Sequence, residues 1–287
     1  MVALVTPFKD GKVDVKGLQK LVEFHIKSGT SAIVPCGTTG ESATLSHDEH
    51  DLVIEVVIEA AAKRIPVIAG SGSNNTAEAI RLTRHAQKAG AEASLQIAPY
   101  YNKPTQEGLY RHFKAIAESV EIPLVVYNIA SRTGVNIEPE TFGRLAEIKN
   151  IAAVKESSGN LEQMARIKQI CGDKIALISG DDGLTLPVLA IGGTGVISVV
   201  ANILPKEVAK LVESFEKGNL AEAQKIFEHL LPITKALFIE TNPIPVKTAM
   251  GLMRMIDEAE LRLPMCPMSE TNLAKLKSVL RSYKLVR

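Results

Sequence analysis

Eight short apolar runs, at residues 2–5, 32–35, 66–69, 93–98, 123–127, 151–154, 175–178 and 195–200, punctuate the first 200 residues, and longer amphipathic stretches fill the intervals. Continuous apolar runs of this length fit parallel strands buried on both faces and joined by crossover helices. The intervals at 17–26, 49–62 and 77–88 carry Leu, Val, Ile or Ala at three- and four-residue spacing, which predicts helices with one buried face. Ser46 has Glu49 three residues on, the spacing of a capping box. Thr76 and Asn160 stand where N-caps belong, and Gly29, Gly90 and Gly172 mark helix ends. Eight βα units in about 215 residues predict an α/β fold, a (β/α)8 TIM barrel over residues 1–219. An open doubly wound sheet is the rival, but no dinucleotide fingerprint follows the first run, where Thr6-Pro7-Phe8 stands instead. From about Leu220 the period changes to helix after helix, at 221–238, 244–256 and 269–282. This predicts a C-terminal helical extension, 220–287, that caps the barrel or builds an oligomer contact.

Composition narrows the class. The chain has 287 residues, 33 basic against 32 acidic, with no long run of either sign, so nothing draws it to nucleic acid or to an anionic membrane surface. Small molecules or copies of itself are the expected partners. Cys36, Cys171 and Cys266 are too few and too scattered for a disulfide framework or a zinc site, which points to a reducing cytoplasm. No apolar stretch reaches the ~20 residues of a bilayer-spanning helix, and no signal-peptide pattern opens the chain. Met1 is followed at once by Val-Ala-Leu-Val, as though the chain opened inside its first strand.

In a barrel the chemistry lies just after each strand, which confines the search to a few segments. These are Gly37-Thr38-Thr39-Gly40-Glu41, Pro99-Tyr100-Tyr101-Asn102, Tyr127-Asn128, Lys155-Glu156-Ser157, Ser179-Gly180-Asp181-Asp182 and Gly192-Gly193-Thr194-Gly195. Lys155 directly follows Ile-Ala-Ala-Val, where an ammonium is costly to hold and a neutral amine could attack a ketone to form an imine. The alternative is a structural lysine paired with Glu156 or Asp181. The glycine-flanked turn at Thr38 and Thr39 offers hydroxyls and N–H groups to a carboxylate, or is an ordinary strand-to-helix turn. Tyr101 and Tyr127, two of five tyrosines, could pass protons or simply pack. Arg132 presents a fork suited to a carboxylate, or lies on the surface. His47 and His50 have Cys36 as their only nearby soft ligand, on another element, so no metal is expected.

Together these segments resemble the pyruvate-dependent class I aldolases, the family of dihydrodipicolinate synthases and N-acetylneuraminate lyases, over essentially the whole chain. The stretch from Ala32 through the GTTGE turn to Glu49 is similar to the family's first signature, and Tyr127 to Lys155 to its second. The resemblance implies a cofactor-free lyase in which Lys155 forms the imine with pyruvate and Tyr127 moves protons beside it. Thr38 and Tyr101 complete the relay, Tyr101 crossing from a neighbouring subunit of a homotetramer built as two dimers. It further implies that Thr39 and the backbone at Ile197 hold pyruvate, that Arg132 receives the carboxylate of L-aspartate 4-semialdehyde, and that Gly180 lines the site. Neuraminate lyases usually carry a serine in the GTTGE turn and lack this arginine, so a sugar-acid aldolase is the second expectation. A non-catalytic barrel sensing a 2-oxo acid or an amino acid is the third. Ala130 departs from the family, which normally has proline there, and a freer φ would loosen how Arg132 is presented. Ser42, Ala43, His47, His50, Asn74, Glu78 and Tyr100 resemble the family's site for feedback inhibition by L-lysine.

Overall fold

The computed structural model describes residues 1–287 as two compact units, one comprising Met1–Pro66 with Ser198–Arg287 and the other Val67–Ile197. In the second unit, β5 (Ile68–Gly70), β6 (Ala93–Ile97), β7 (Leu124–Asn128), β8 (Ile151–Glu156), β9 (Ala176–Ser179) and β10 (Gly195–Val196) form one parallel sheet in sequence order. The crossovers carry α3 (Thr76–Ala89), α4 (Gln106–Ala117), α5 (Ala130–Thr133), α6 (Pro139–Leu145), α7 (Leu161–Cys171) and α8 (Thr185–Ala190). In the first unit, β1 (Val2–Ala3) pairs in parallel with β4 (Ile33–Val34), and Val2 bridges in parallel to Ser198. All eight apolar runs are therefore strands, each shorter or shifted by a few residues against its expected span except β8, which runs two residues longer.

An antiparallel hairpin of β2 (Phe8–Lys9) and β3 (Lys12–Val13) was not expected from the sequence. Its tight turn puts Asp10 and Gly11 at φ 52° and 74°, the left-handed pair that an Asp-Gly dipeptide favours. The first unit also holds α1 (Val15–Lys27), α2 (His47–Ala61), α9 (Pro205–Glu216), α10 (Leu220–Leu237), α11 (Ile244–Leu252) and α12 (Glu270–Ser282). The helical period read from residue 221 onward is thus found as three helices. No helix is long and apolar enough to cross a membrane.

Local signals act as their chemistry demands. Ser46 and Glu49 close a reciprocal capping box on α2, and the Asn160 side chain caps α7. Thr76 is not the cap of α3: Asn75 accepts from Ala77 N at 3.0 Å, while the Thr76 hydroxyl bonds His112 Nδ1 at 2.9 Å. Between the second unit's sheet and its helices lies one apolar core, with Phe113, Phe142, Leu124, Val126, Val154 and Leu177 at its centre. Inward-facing residues of consecutive strands alternate with those on the opposite face.

Two buried histidines make stability pH-dependent. His25 and His112 hydrogen-bond Thr30 and Thr76 through Nδ1, and burial lowers the pKa of each to about 4. An unfolded histidine titrates near ~6.5. Below that pH the unfolded chain takes up protons that the folded chain refuses, so stability is present above ~6.5 and is lost as pH falls toward 4. Each histidine is expected to account for at most ~3 kcal/mol of that loss. Urea midpoints measured from pH 7 to pH 4 should fall, and His112→Gln should flatten the fall; an unaltered profile in the variant would refute the assignment.

Candidate active site

Lys155 stands on β8 opposite Tyr127 on β7, in register, and is 6% exposed. Its Nζ lies 4.1 Å from the centroid of the Tyr127 ring. The ion-paired alternatives are absent. Glu156 Oε2 accepts from Asn128 Nδ2 at 2.9 Å and from Gln163 Nε2 at 3.3 Å, and its Oε1 from Ser158 N at 2.6 Å. Asp181 Oδ1 accepts from Gly183 N at 2.8 Å. Lys155 is a nearly buried amine whose neighbour is an aromatic face rather than a carboxylate.

Alternation along β7 and β8 explains the split. Tyr127 and Lys155 share one face, while Asn128 and Glu156, also in register, share the other, beside the core residues Val126 and Val154. There the buried Glu156 carboxyl is pushed up by desolvation against the opposing effect of its donors. Asn136 and Gln163 extend the same network, so the second face is fully occupied by its own hydrogen bonds.

The loops around Lys155 show where the other expected residues stand. Gly180 N donates to Glu156 O at 2.8 Å. A Cβ on Gly180 would lie 1.8 Å from Ser157 Oγ and 2.9 Å from Lys155 Cε, so only glycine leaves room for this lysine conformation. Ile197 is buried and gives its N–H to Ser179 O at 2.9 Å, which leaves its carbonyl as the free backbone group. Arg132 sits exposed on α5, whose turn is closed by Gly134 N to Ala130 O and by Thr133 Oγ1 to Ile129 O. Tyr101 is 89% exposed at φ 73°, a left-handed backbone that side chains other than glycine adopt at a cost.

In the first unit the GTTGE turn is held tightly. Gly40 N and Ser42 N donate to Gly37 O, Glu41 N donates to Thr38 O, and Thr6 Oγ1 donates to Gly40 O at 2.7 Å. A Cβ on Gly40 would approach Cys36 N to 3.0 Å and Leu4 O to 3.1 Å, both backbone. Thr38 is half-buried and Thr39 is buried, its hydroxyl accepting from Asn242 Nδ2 at 3.0 Å. Glu41 Oε1 pairs with Lys247 Nζ at 2.5 Å, and its Oε2 accepts from Arg262 N at 3.2 Å. Lys247 Nζ and the Arg262 guanidinium lie 3.9 and 4.3 Å from the Phe8 ring centroid. Arg262 also grips Glu49 with both nitrogens and holds that carboxyl down at about 2. Asn242, Lys247 and Arg262 escaped the reading of the sequence. The available signals were a lone lysine inside the apolar stretch Ile244–Leu252 and an asparagine before Pro243.

The residues expected to hold L-lysine fall in both units. In the second, Asn74 Nδ2 donates to Tyr100 O at 3.1 Å, Asn102 Nδ2 donates to Asn74 O at 2.9 Å, and Ser73 donates to Glu78. In the first, Ser42 and Ala43 lie in a short 3-10 turn (Ser42–Thr44), with exposed His47 and buried His50 on the opening turn of α2.

Known proteins resemble this chain along nearly its whole length. The model of the dihydrodipicolinate synthetase family matches residues 1–283. A 4-hydroxy-tetrahydrodipicolinate synthase of Syntrophus aciditrophicus is 57% identical over 286 residues, covering 100% of this chain and 98% of the relative. The crystal structure of dihydrodipicolinate synthase from Aquifex aeolicus superposes with a TM-score of 0.97 at 50% identity, over 99% of this chain and 97% of that one. The chloride-inhibited enzyme of Acinetobacter baumannii, complexed with pyruvate, gives 0.96 at 46% identity, over 99% and 98%. That of Cyanidioschyzon merolae with lysine bound gives 0.96 at 42%, over 99% and 97%. The chain belongs to the dihydrodipicolinate synthetase family.

Proposed function

We propose that this protein condenses pyruvate with L-aspartate 4-semialdehyde through an imine on Lys155, giving 4-hydroxy-tetrahydrodipicolinate in the cytoplasm for diaminopimelate and lysine synthesis. The observation that carries the proposal is a buried amine without a carboxylate partner, set against the Tyr127 ring. The Lys155 nitrogen attacks C2 of pyruvate, and loss of water gives the imine. Loss of a methyl proton then gives the enamine. Tyr127, whose ring lies 4.1 Å from the Lys155 nitrogen, takes and returns those protons, with Thr38 and Tyr101 assigned to the same relay by the family resemblance. Thr39 and the Ile197 backbone hold pyruvate, and Gly180 keeps room for the adduct.

The enamine carbon attacks the aldehyde while Arg132 receives the semialdehyde carboxylate. The substrate's own amine then displaces Lys155 from C2, which frees the enzyme and closes the ring. No metal or nucleotide enters these steps. The finer fold is part of the proposal: the strands of one closed (β/α)8 barrel, supported by the parallel pairing of every strand outside the β2–β3 hairpin and by the match to the family's structures. So is the homotetramer, in which the exposed Tyr101 serves a neighbouring subunit. An aromatic ring left 89% in water on a left-handed backbone is accounted for by a second copy.

Three outcomes test this. Incubation with pyruvate followed by borohydride should add one pyruvate unit to the intact mass, and Lys155→Ala should abolish it; an unmodified wild-type protein would rule out the imine. Arg132→Ala should raise KM for the semialdehyde by about tenfold or more, the loss of a charge-assisted bond, with pyruvate trapping unchanged. Equal turnover of sugar-acid acceptors, or pyruvate bound without any acceptor consumed, would favour an N-acetylneuraminate lyase, a 2-keto-3-deoxy sugar acid aldolase or a sensor instead. L-lysine at millimolar concentration should inhibit, and Asn74→Ala or Glu78→Ala should relieve that inhibition; activity indifferent to lysine would remove the feedback site.

A further inference from the structure

Thr39 and Asn242 lie 203 positions apart, yet their side chains meet where neither is more than a few per cent exposed. A hydroxyl has one proton to give and lone pairs with which to receive. Here the oxygen receives from Asn242 Nδ2, and this is the one side-chain bond that the Thr39 hydroxyl makes, which leaves its proton to give. A buried O–H fixed in direction and lacking an acceptor is a donor waiting for an anion. The turn itself does not need this bond to stay in place. Glu41, two residues on, is anchored by the buried Lys247 and by Arg262 N, and Gly40 is tied to Thr6. The Asn242 bond is therefore left to govern the direction of one proton.

We propose that Asn242 is a positioning residue: by occupying the Thr39 oxygen it aims the Thr39 proton at the carboxylate of the bound 2-oxo acid. The proposal rests on the reading of the GTTGE turn as the carboxylate cradle, and it adds a residue from the C-terminal helical region to pyruvate recognition. A charge-assisted bond to a carboxylate is worth enough that its loss weakens binding about tenfold or more. The loss belongs to ground-state binding, so KM should move and the chemical step should not.

The test reads pyruvate occupancy directly. Full-length protein is titrated with pyruvate, reduced with borohydride and weighed, which gives the concentration for half-maximal trapping and the maximal extent. In Asn242→Ala the half-maximal concentration should rise about tenfold, with the maximal extent kept. Thr39→Val should raise it at least as far, and the double variant should be no worse than Thr39→Val alone, since both remove one bond. Asn242→Asp preserves shape but can only accept, which draws the Thr39 proton inward; it should bind pyruvate more weakly than Asn242→Ala. A half-maximal concentration unchanged in Asn242→Ala, or losses that add in the double variant, would overturn the proposal while leaving wild-type trapping intact. Wild-type protein that traps no pyruvate would instead overturn the imine reading on which it rests.

Discussion

One extra residue in a strand pair decides which face of its strand Lys155 occupies. Leu124 pairs with Ile151, but Val125 pairs with Ala153, so Ala152 has no partner and β8 carries a bulge. Ile151 faces the apolar core beneath the helices. Strict alternation from Ile151 would turn Lys155 to that same face, among Val154, Phe142 and Leu177. The bulge advances the phase by one, so Val154 and Glu156 take the core side and Lys155 takes the other, beside Tyr127. An ammonium among the core side chains would carry a desolvation cost with no partner to offset it. On the opposite face the same lysine meets an aromatic ring and the space that Gly180 leaves.

Two other buried charged groups, Glu156 and Lys247, are satisfied by their neighbours. Glu156 faces a set of amide donors from Asn128, Gln163 and the Ser158 backbone, and is satisfied within its own network. Lys247 is buried more completely than Lys155, yet its environment makes it a strut. Burial lowers its pKa while Glu41 opposes the shift, and Glu41 and the Phe8 ring enclose the nitrogen. A paired, enclosed ammonium is costly to break and has no lone pair to offer. Burial alone thus does not mark a nucleophile. What distinguishes Lys155 is burial without a carboxylate, and that depends on which face of the strand it occupies.

The sequence carried the strands well because a run buried on both faces needs no phase information to be recognised. It carried the helix starts where a cap is local, as at Ser46 and Asn160, and missed by one residue at Thr76, whose hydroxyl bonds His112 on the neighbouring helix α4. The phase of β8 was hidden for the opposite reason. Ile-Ala-Ala-Val contains two residues small enough to stand on either face, so nothing in the string says that Ala152 is the unpaired one. The hairpin at Asp10-Gly11 was legible in principle from its dipeptide and was passed over beside the much longer pattern of strands and helices. The candidate segments were sought after the strands, and a search confined to strand ends finds nothing on a helix.

That last point explains why the C-terminal region remained open. Its helices read as a cap or an oligomer contact, since amphipathic period reports only that one face is buried. Specific side chains decide the matter. Asn242, Lys247 and Arg262 each reach the GTTGE turn or its neighbours: one at a hydroxyl, one at a carboxylate, one at that carboxylate and at Glu49. A turn of two glycines and two threonines has little side-chain bulk with which to fix itself, so its rigidity must come from outside. The buried ion pair and the arginine fork supply that rigidity from about 200 residues away in sequence. The helical region therefore fixes the turn through side chains rather than through its amphipathic period.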